Sequence, residues 1–351
     1  MTGPRPLVRA EWRDLAIYQP AQTPVEVDLS DNTSRFGVPP SALAVLQHEA
    51  AAGVMRYPSA YGTGLKQALA AYAGVAPEEI ATGCGSDDVL DSAIRAFARP
   101  GERFAHLTPT FPMAARFALL NSLVVDATPL AADGTFDPGA LLAGDPAVIY
   151  LCTPNNPTGA SLDPDAVERV IVGASGVVVV DEAYAEFAGA GRIGQAPARR
   201  GLVVVRTLSK AFALAGLRVG YACAERSLVR EIELSRGPYK LTSTSERAAE
   251  AAVRGDLDWV RESAAEAVRM RGRLTSELRA RGFAVLPSDA NFVLVPLPGA
   301  PRIAASMRTA GVAVRPFEDL PGVGDALRIT AAPWPELERA LAALDEAVRC
   351  A

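Results

Sequence analysis

The stretch Val-Val-Val-Arg-Thr-Leu-Ser-Lys-Ala-Phe occupies residues 203–212, past the middle of the chain. It begins with three valines and carries a lysine at position 210. The three valines predict a buried strand, and the hydroxyl groups of Thr207 and Ser209 follow it. Lys210 stands among apolar neighbours, and loss of water around its amine favours the neutral, nucleophilic form. Arg218, eight residues later, offers a planar fork of donors that suits a phosphate. The segment predicts a nucleophilic lysine beside an anion cradle.

Composition defines the broad class of the protein. The 351 residues are 49% hydrophobic and 21% charged, which is typical of a globular protein large enough for two or three units. The net charge of -5 argues against a nucleic-acid partner, which would favour a basic face. The sequence shows neither an apolar run long enough for a membrane helix nor the apolar core of a signal peptide. We therefore expect no membrane partner and a cytoplasmic location.

This chain has few cysteines or histidines that could bind a metal ion, and few histidines that could act as catalysts. The four cysteines are far apart and form no Cys-x-x-Cys pair, which argues against a disulfide framework or a zinc site. His48 and His106 are the only histidines. We therefore expect no metal, and a proton carrier that is a lysine, a tyrosine or a carboxylate.

Strands and helices alternate from about residue 79 onward. The runs at residues 148–151 and 177–180 are apolar along their whole length, which suits a mostly parallel sheet covered on both faces. After about residue 222 the pattern becomes helical and then gives shorter strands, including one at residues 283–287, as in a smaller α/β unit. The predicted α/β fold has an N-terminal lid with part of the small domain (1–45), a large domain (46–238) and a C-terminal small domain (239–351).

Polar side chains follow the ends of three predicted strands. Asn156, Asp181 and Lys210 each stand at the carboxyl end of an apolar run, where functional groups gather in parallel sheets. A buried carboxylate at Asp181 would need a cation, and a protonated pyridine nitrogen meets that need. Tyr184, three residues further on, can place a phenol near the hydroxyl of such a ring. These residue types together predict a site for pyridoxal phosphate.

A second anion-binding pattern comes earlier in the chain. Gly85, Ser86 and Asp87 open a predicted helix directly after a short strand. The free backbone N–H groups at the start of a helix can bind a phosphate. We expect this helix start to face the same ligand as the hydroxyl groups that precede Lys210.

In this order and spacing, the motifs resemble those of the histidinol-phosphate aminotransferases, which are class II, fold-type I enzymes that use pyridoxal phosphate. From Asn156 to Asp181 there are 25 residues (181−156), and from Asp181 to Lys210 there are 29 (210−181). The resemblance covers nearly the whole chain and includes residues 206–218, Arg56-Tyr57-Pro58, Gly85-Ser86-Asp87, Pro109-Thr110-Phe111 and Leu327-Arg328-Ile329-Thr330. It implies a large domain whose mostly parallel, seven-stranded sheet is flanked by helices.

The resemblance also implies a role for each matching residue. Lys210 would be the Schiff-base lysine and the catalytic acid and base, and Asp181 would pair with the pyridine nitrogen. Asn156 and Tyr184 would hold the ring hydroxyl, and Phe111 would stack on the ring. The cofactor phosphate would lie among Gly85, Ser86, Asp87, Thr207, Ser209, Arg218 and, from the neighbouring subunit of a homodimer, Tyr57. The substrate contacts would be Arg328, Arg315, Tyr18 and Asn156.

The implied reaction is ping-pong transfer of an amino group from histidinol phosphate to 2-oxoglutarate, as in histidine biosynthesis, with an amine donor and a 2-oxo acid as the partners. Two departures from the family leave the donor open. Residues 31–37 replace its Asn-Glu-Asn-Pro lid, and Lys240 stands where an asparagine is usual. Three alternatives stay open: an aromatic or broad-specificity aminotransferase, a decarboxylase of the threonine-phosphate type, and a non-catalytic paralogue that binds pyridoxal phosphate.

Overall fold

The alternating apolar runs of the sequence form the elements of an α/β protein. The structure is a computed structural model and describes residues 9, 12, 15–17, 24–48, 53 and 55–349. The strands are β1 (Val27–Asp28), β2 (Ile80–Cys84), β3 (Arg103–Thr108), β4 (Val124–Pro129), β5 (Val148–Cys152), β6 (Val177–Asp181), β7 (Leu202–Thr207), β8 (Val219–Ala224), β9 (Phe292–Pro296), β10 (Val312–Ala313), β11 (Arg315–Leu320) and β12 (Gly324–Thr330). The helices are α1 (Pro40–Gln47), α2 (Thr63–Ala73), α3 (Gly85–Phe97), α4 (Pro112–Leu120), α5 (Pro138–Leu142), α6 (Pro164–Gly173), α7 (Ala185–Ala188), α8 (Arg226–Arg236), α9 (Ser243–Gly255), α10 (Leu257–Ala280), α11 (Ala300–Thr309) and α12 (Trp334–Arg349).

A seven-stranded sheet lies at the centre, with the strands in the order β2-β8-β7-β6-β5-β3-β4. Only β8 runs against its neighbours in this sheet, and the pairs from β7 to β4 are parallel. Along β5 every residue is buried, as expected for a strand with both faces covered. The predicted fold, a mostly parallel seven-stranded sheet flanked by helices, is confirmed.

Side chains that alternate along each strand supply two separate cores. On β5, Ile149 and Leu151 point into one apolar cluster, and Val148 and Tyr150 point into the other. Helix α3 covers the second cluster because Val89, Leu90, Ala93 and Ile94 recur on one of its faces. The sheet is therefore a middle layer whose strand ends, rather than its faces, are open to a ligand.

The carboxyl-terminal part forms a smaller unit around an antiparallel sheet in the order β11-β12-β9. Strand β1 joins this unit by parallel pairing with β10. The strand predicted at residues 283–287 is wrong. Leu286 donates one backbone hydrogen bond to Leu294 at 3.0 Å, but Pro287 has no N–H to continue a ladder. The domain boundaries predicted after residues 45 and 238 stay predictions. Within the described part of the chain, no helix is both long and apolar enough to cross a membrane.

Candidate active site

Three neighbouring parallel strands end together at one edge of the large sheet. Strand β6 ends at Asp181, which is level with Cys152 at the end of β5 and with Val205 near the end of β7. The loops that leave these strands carry Asn156 and Lys210. This edge is where α/β sheets commonly bind their ligands.

Lys210 is half-buried in the loop beyond β7 and reaches towards the N-terminal segment. Its Nζ donates a hydrogen bond of 2.9 Å to the backbone oxygen of Asp31 and lies 6.0 Å from the ring centre of Tyr184. Burial lowers the pKa of Lys210 to about 8, and the nearby cations Arg328 and Arg218 act in the same direction. Part of the amine is therefore uncharged, and so nucleophilic, near neutral pH.

Asp181 is a buried carboxylate with two donors inside the protein. Its side chain is almost fully buried; Oδ2 accepts a hydrogen bond of 2.8 Å from the Tyr150 hydroxyl, and Oδ1 accepts one of 3.0 Å from the Ala183 N–H. Burial raises the pKa of Asp181 to about 6, against the opposing effect of these two donors. The group is mainly ionised at neutral pH, and its remaining lone pairs can accept a bond from a ligand cation. Sequence reasoning missed Tyr150, because it stands inside an apolar strand and no local pattern shows a polar partner for its hydroxyl.

Tyr184 is held by the N-terminal segment, through a contact that the sequence did not predict. Asn32 Nδ2 donates to the Tyr184 hydroxyl at 3.0 Å, and both side chains are buried. Asn32 is itself fixed, because its N–H donates to Thr330 at 3.1 Å and its carbonyl oxygen accepts a bond of 3.0 Å from Asn291. The Tyr184 oxygen accepts from Asn32, so its own O–H stays available to a ligand.

Two arginines face each other where the smaller unit meets this edge. Arg328 donates to Asn156 Oδ1 and to the Ser30 carbonyl oxygen, each at 2.6 Å. Arg315 lies directly opposite Arg328 in the β11–β12 ladder, and opposite residues of an antiparallel pair point to the same face. No ion pair to Arg315 is found among the described residues. Two like charges in this position favour an anionic ligand.

The start of α3 and the loop after β7 form an anion cradle. Gly85 has a φ of +81°, and a Cβ there would lie 2.4 Å from Arg218 Nη2. A Cβ on Gly220 of β8 would lie 2.2 Å from the backbone nitrogen of Ser86. These two glycines allow the guanidinium and the first N–H groups of the helix to converge, as an anion requires.

Two hydroxyl groups and one carboxylate lie around Arg218 in this cradle. Arg218 Nη1 lies 3.5 Å from the Ser209 hydroxyl, which lies 2.9 Å from that of Thr207. The Asp87 carboxylate lies 3.8 Å from Arg218 Nη2. Burial raises the pKa of Asp87, while Arg218 and Lys210 oppose that shift.

The remaining predicted residues differ in how they lie relative to this edge. Phe111 stands just before α4 and packs against the cluster that contains Tyr150. Tyr57 is 84% exposed, and its described ring contact is with Tyr239 at 5.0 Å. Tyr18 lies outside the described residues. Lys240, which departs from the family pattern, donates to Asp88 at 2.8 Å at the start of α3.

Fold and site together define an aminotransferase: the chain belongs to the family described as aminotransferase class I and II, which matches residues 24–344. It is 37% identical over 336 residues to the histidinol-phosphate aminotransferase of Chromobacterium violaceum, covering 92% of this chain and 93% of the relative. It is 36% identical over 342 residues to the aromatic amino acid aminotransferase of Mycolicibacterium vanbaalenii, covering 93% of each. The crystal structure of histidinol-phosphate aminotransferase from Sinorhizobium meliloti in complex with pyridoxal-5'-phosphate matches with a TM-score of 0.83 at 27% identity, covering 93% of this chain and 92% of that chain. The predicted family is confirmed.

Proposed function

We propose that this aminotransferase uses pyridoxal phosphate to move the amino group of histidinol phosphate to 2-oxoglutarate. The supporting observation is the pair Arg315 and Arg328, which stand opposite each other beside Asn156. Histidinol phosphate carries a phosphate, and 2-oxoglutarate carries carboxylates. Guanidinium groups bind both anions with the same donor fork. One arginine pair can therefore serve the two substrates in turn, as a ping-pong reaction requires.

The residues of the sheet edge fit pyridoxal phosphate. Lys210 supplies a partly uncharged amine for its aldehyde, and Asp181 supplies an ionised carboxylate for its ring nitrogen. The cradle at Ser86 and Arg218 suits its phosphate, and the missing Cβ atom of Gly85 leaves room for the two to converge. The relative from Sinorhizobium meliloti binds this cofactor, which supports the assignment. When bound, the cofactor withdraws electrons from the carbon that carries the amino group.

The chain's own side chains have separable tasks in this proposal. Lys210 Nζ, with its pKa lowered by burial to about 8, takes the proton from the amine-bearing carbon of the substrate. Asn156 accepts from Arg328 through Oδ1, which leaves its Nδ2 to donate to the ring hydroxyl. The Tyr184 O–H donates to none of the described residues and could bond to the same oxygen, and Phe111 would stack on the ring. Asn156 thus couples the position of the ring to that of the arginine that grips the substrate.

We also propose a homodimer in which the cradle of each subunit receives Tyr57 from the other. Tyr57 and Met55 are 84% and 83% exposed, although both carry large apolar surfaces. Exposed apolar side chains that lie close together are typical of an interaction surface. A cytoplasmic location stays a prediction.

An aromatic amino acid donor is the second candidate. The relative from Mycolicibacterium vanbaalenii supports it, because its identity to this chain is nearly as high as that of the histidinol-phosphate enzyme. A partly exposed ring also lies near the substrate-binding guanidinium: the centre of Phe317 is 5.8 Å from Arg328 Cζ. An aromatic substrate ring would find apolar contacts there.

Single-turnover absorbance of the cofactor-loaded protein tests the choice of donor. We expect histidinol phosphate and glutamate to convert the bound cofactor, and phenylalanine to do so at least about tenfold more slowly. Phenylalanine offers the arginine pair a single negative charge, whereas the phosphate of histidinol phosphate carries nearly two at neutral pH and glutamate has two carboxylates. Arg315→Ala should slow histidinol phosphate and glutamate more than phenylalanine, and Arg226→Ala, which alters an exposed arginine on α8, should change none of them. Faster conversion by phenylalanine would favour the aromatic donor. Wild-type protein without cofactor absorbance, or turnover that survives in Lys210→Ala, would overturn the whole proposal.

A further inference from the structure

A buried tyrosine lies against the carboxylate that would face the cofactor ring. The Tyr150 hydroxyl donates to Asp181 Oδ2 at 2.8 Å, and Tyr150 is completely buried. In the β5–β6 register, Tyr150 is paired with Val179 and Cys152 with Asp181, so the tyrosine reaches the carboxylate from two positions further back along the strand. Its ring is fixed by the core, and its hydroxyl is therefore held in place without help from solvent.

The other groups near Asp181 do not replace this donor. The Asp87 and Glu182 carboxylates both disfavour a negative charge on Asp181, although Glu182 is paired with Arg206 at 2.7 Å. The Cys152 thiol is buried and its pKa is raised by burial, so it stays neutral. The backbone N–H of Ala183 reaches only Oδ1. Among the side-chain donors of the described residues, Tyr150 is the one that bonds to the Asp181 carboxylate.

We propose that Tyr150 is a positioning residue for amino transfer, whose hydroxyl keeps Asp181 ionised and oriented so that the shared proton stays on the cofactor's ring nitrogen. The inference rests on the proposed function, because it concerns pyridoxal phosphate bound at Asp181. Burial alone would favour a protonated Asp181, which is neutral and cannot pair as an anion with a pyridinium. A hydrogen bond from the tyrosine favours the charged carboxylate. It therefore opposes transfer of the proton from the ring nitrogen to Asp181. Burial raises the pKa of Asp181 to about 6 even with this donor in place, so the carboxylate depends on it near neutral pH.

The test uses the protein loaded with pyridoxal phosphate that is labelled with nitrogen-15 in the ring. Tyr150→Phe should raise the proton affinity of Asp181 roughly tenfold or more, because a hydrogen bond to a charged group is lost. We expect the ring-nitrogen NMR signal at pH 7.5 to move from the pyridinium position towards that of neutral pyridine. In the same variant kcat should fall while KM for the oxo acid stays unchanged. Tyr221→Phe is the matched control, because Tyr221 is also buried and its hydroxyl has no hydrogen-bond partner among the described residues.

The outcomes separate this inference from the proposed function. Wild-type protein that binds no labelled cofactor would refute the function itself. A wild-type pyridinium signal that is unchanged in Tyr150→Phe, or moved equally in Tyr221→Phe, would refute the role of Tyr150 alone. If Tyr150→Phe fails to fold, Tyr150→4-aminophenylalanine supplies a weaker donor of the same shape. Its signal should move in the same direction by a smaller amount, and a signal that does not move would refute the role.

Discussion

The Arg206→Met substitution should strongly destabilise the protein, because a buried ion pair joins the two strands that lead to the site. Glu182 follows Asp181 at the end of β6, and Arg206 precedes Thr207 at the end of β7. Arg206 donates twice to Glu182 Oε2, at 3.0 Å from Nε and 2.7 Å from Nη2. Its Nη1 also lies 3.5 Å from Glu186 Oε1. The side chains of Arg206, Glu182 and Glu186 are only 10%, 1% and 9% exposed.

The expected loss follows from this burial. Removing one partner of a buried pair costs about 3–5 kcal/mol, since the other charge stays buried without compensation. Here two carboxylates lose the same cation. The control is Arg103→Met, which breaks a pair with Asp126 at 2.8 Å, also between neighbouring strands but 45% and 33% exposed. That exposed pair should contribute less than about 1 kcal/mol.

The loss should also depend on pH. Burial raises the pKa of Glu186 above its ordinary value of 4.5, and Arg206 opposes that shift, so its removal raises the pKa further. A raised pKa means that the folded state holds a proton that the unfolded state has released. The Arg206→Met protein should therefore lose stability, relative to wild type, as the pH rises above about 4.5.

Urea unfolding of the cofactor-free protein, followed by circular dichroism at pH 5 and pH 8, measures both effects. The reasoning predicts a larger loss for Arg206→Met than for Arg103→Met, and a larger loss at pH 8 than at pH 5. Equal losses for the two variants would show that burial does not determine how much an ion pair contributes to the free energy of unfolding. A loss that shrinks as the pH rises would show that Glu186 is not the group that titrates.

Two further predictions concern the cradle and the lysine. Gly85→Ala should weaken cofactor binding at least about tenfold, because its Cβ would lie 2.4 Å from Arg218 Nη2 at a φ of +81°; equilibrium titration measures this, and unchanged affinity would exclude the cradle at the start of α3. Acetylation of Lys210 in the cofactor-free protein, followed by mass spectrometry, should speed up with pH and level off near its pKa of about 8. Lys66 and Lys240, each ion-paired at 2.7 and 2.8 Å, are the internal references; a Lys210 rate that keeps rising to pH 10 would contradict a lowered pKa.

Local patterns in the sequence were enough to predict the large sheet and the residues at its edge. Apolar runs such as the one before Asp181 are typical of strands that are buried on both faces, and each run ends in a polar residue or a turn. Parallel strands bring such ends to one edge, so Asn156, Asp181 and Lys210 could be grouped without coordinates. The helix start at Gly85 could be predicted in the same way, because the pattern that marks it spans only a few consecutive residues.

The contacts that tune these residues were decided by tertiary structure. Tyr150 meets Asp181 only because β5 and β6 are neighbours in a register that sets the tyrosine two positions back. Asn32 reaches Tyr184 across 152 residues of sequence, and Arg315 faces Arg328 only through the pairing of β11 with β12. A shift of one residue in either register would turn these side chains to the other face. Periodicity fixes which residues are buried, whereas register and strand order fix which buried polar groups meet.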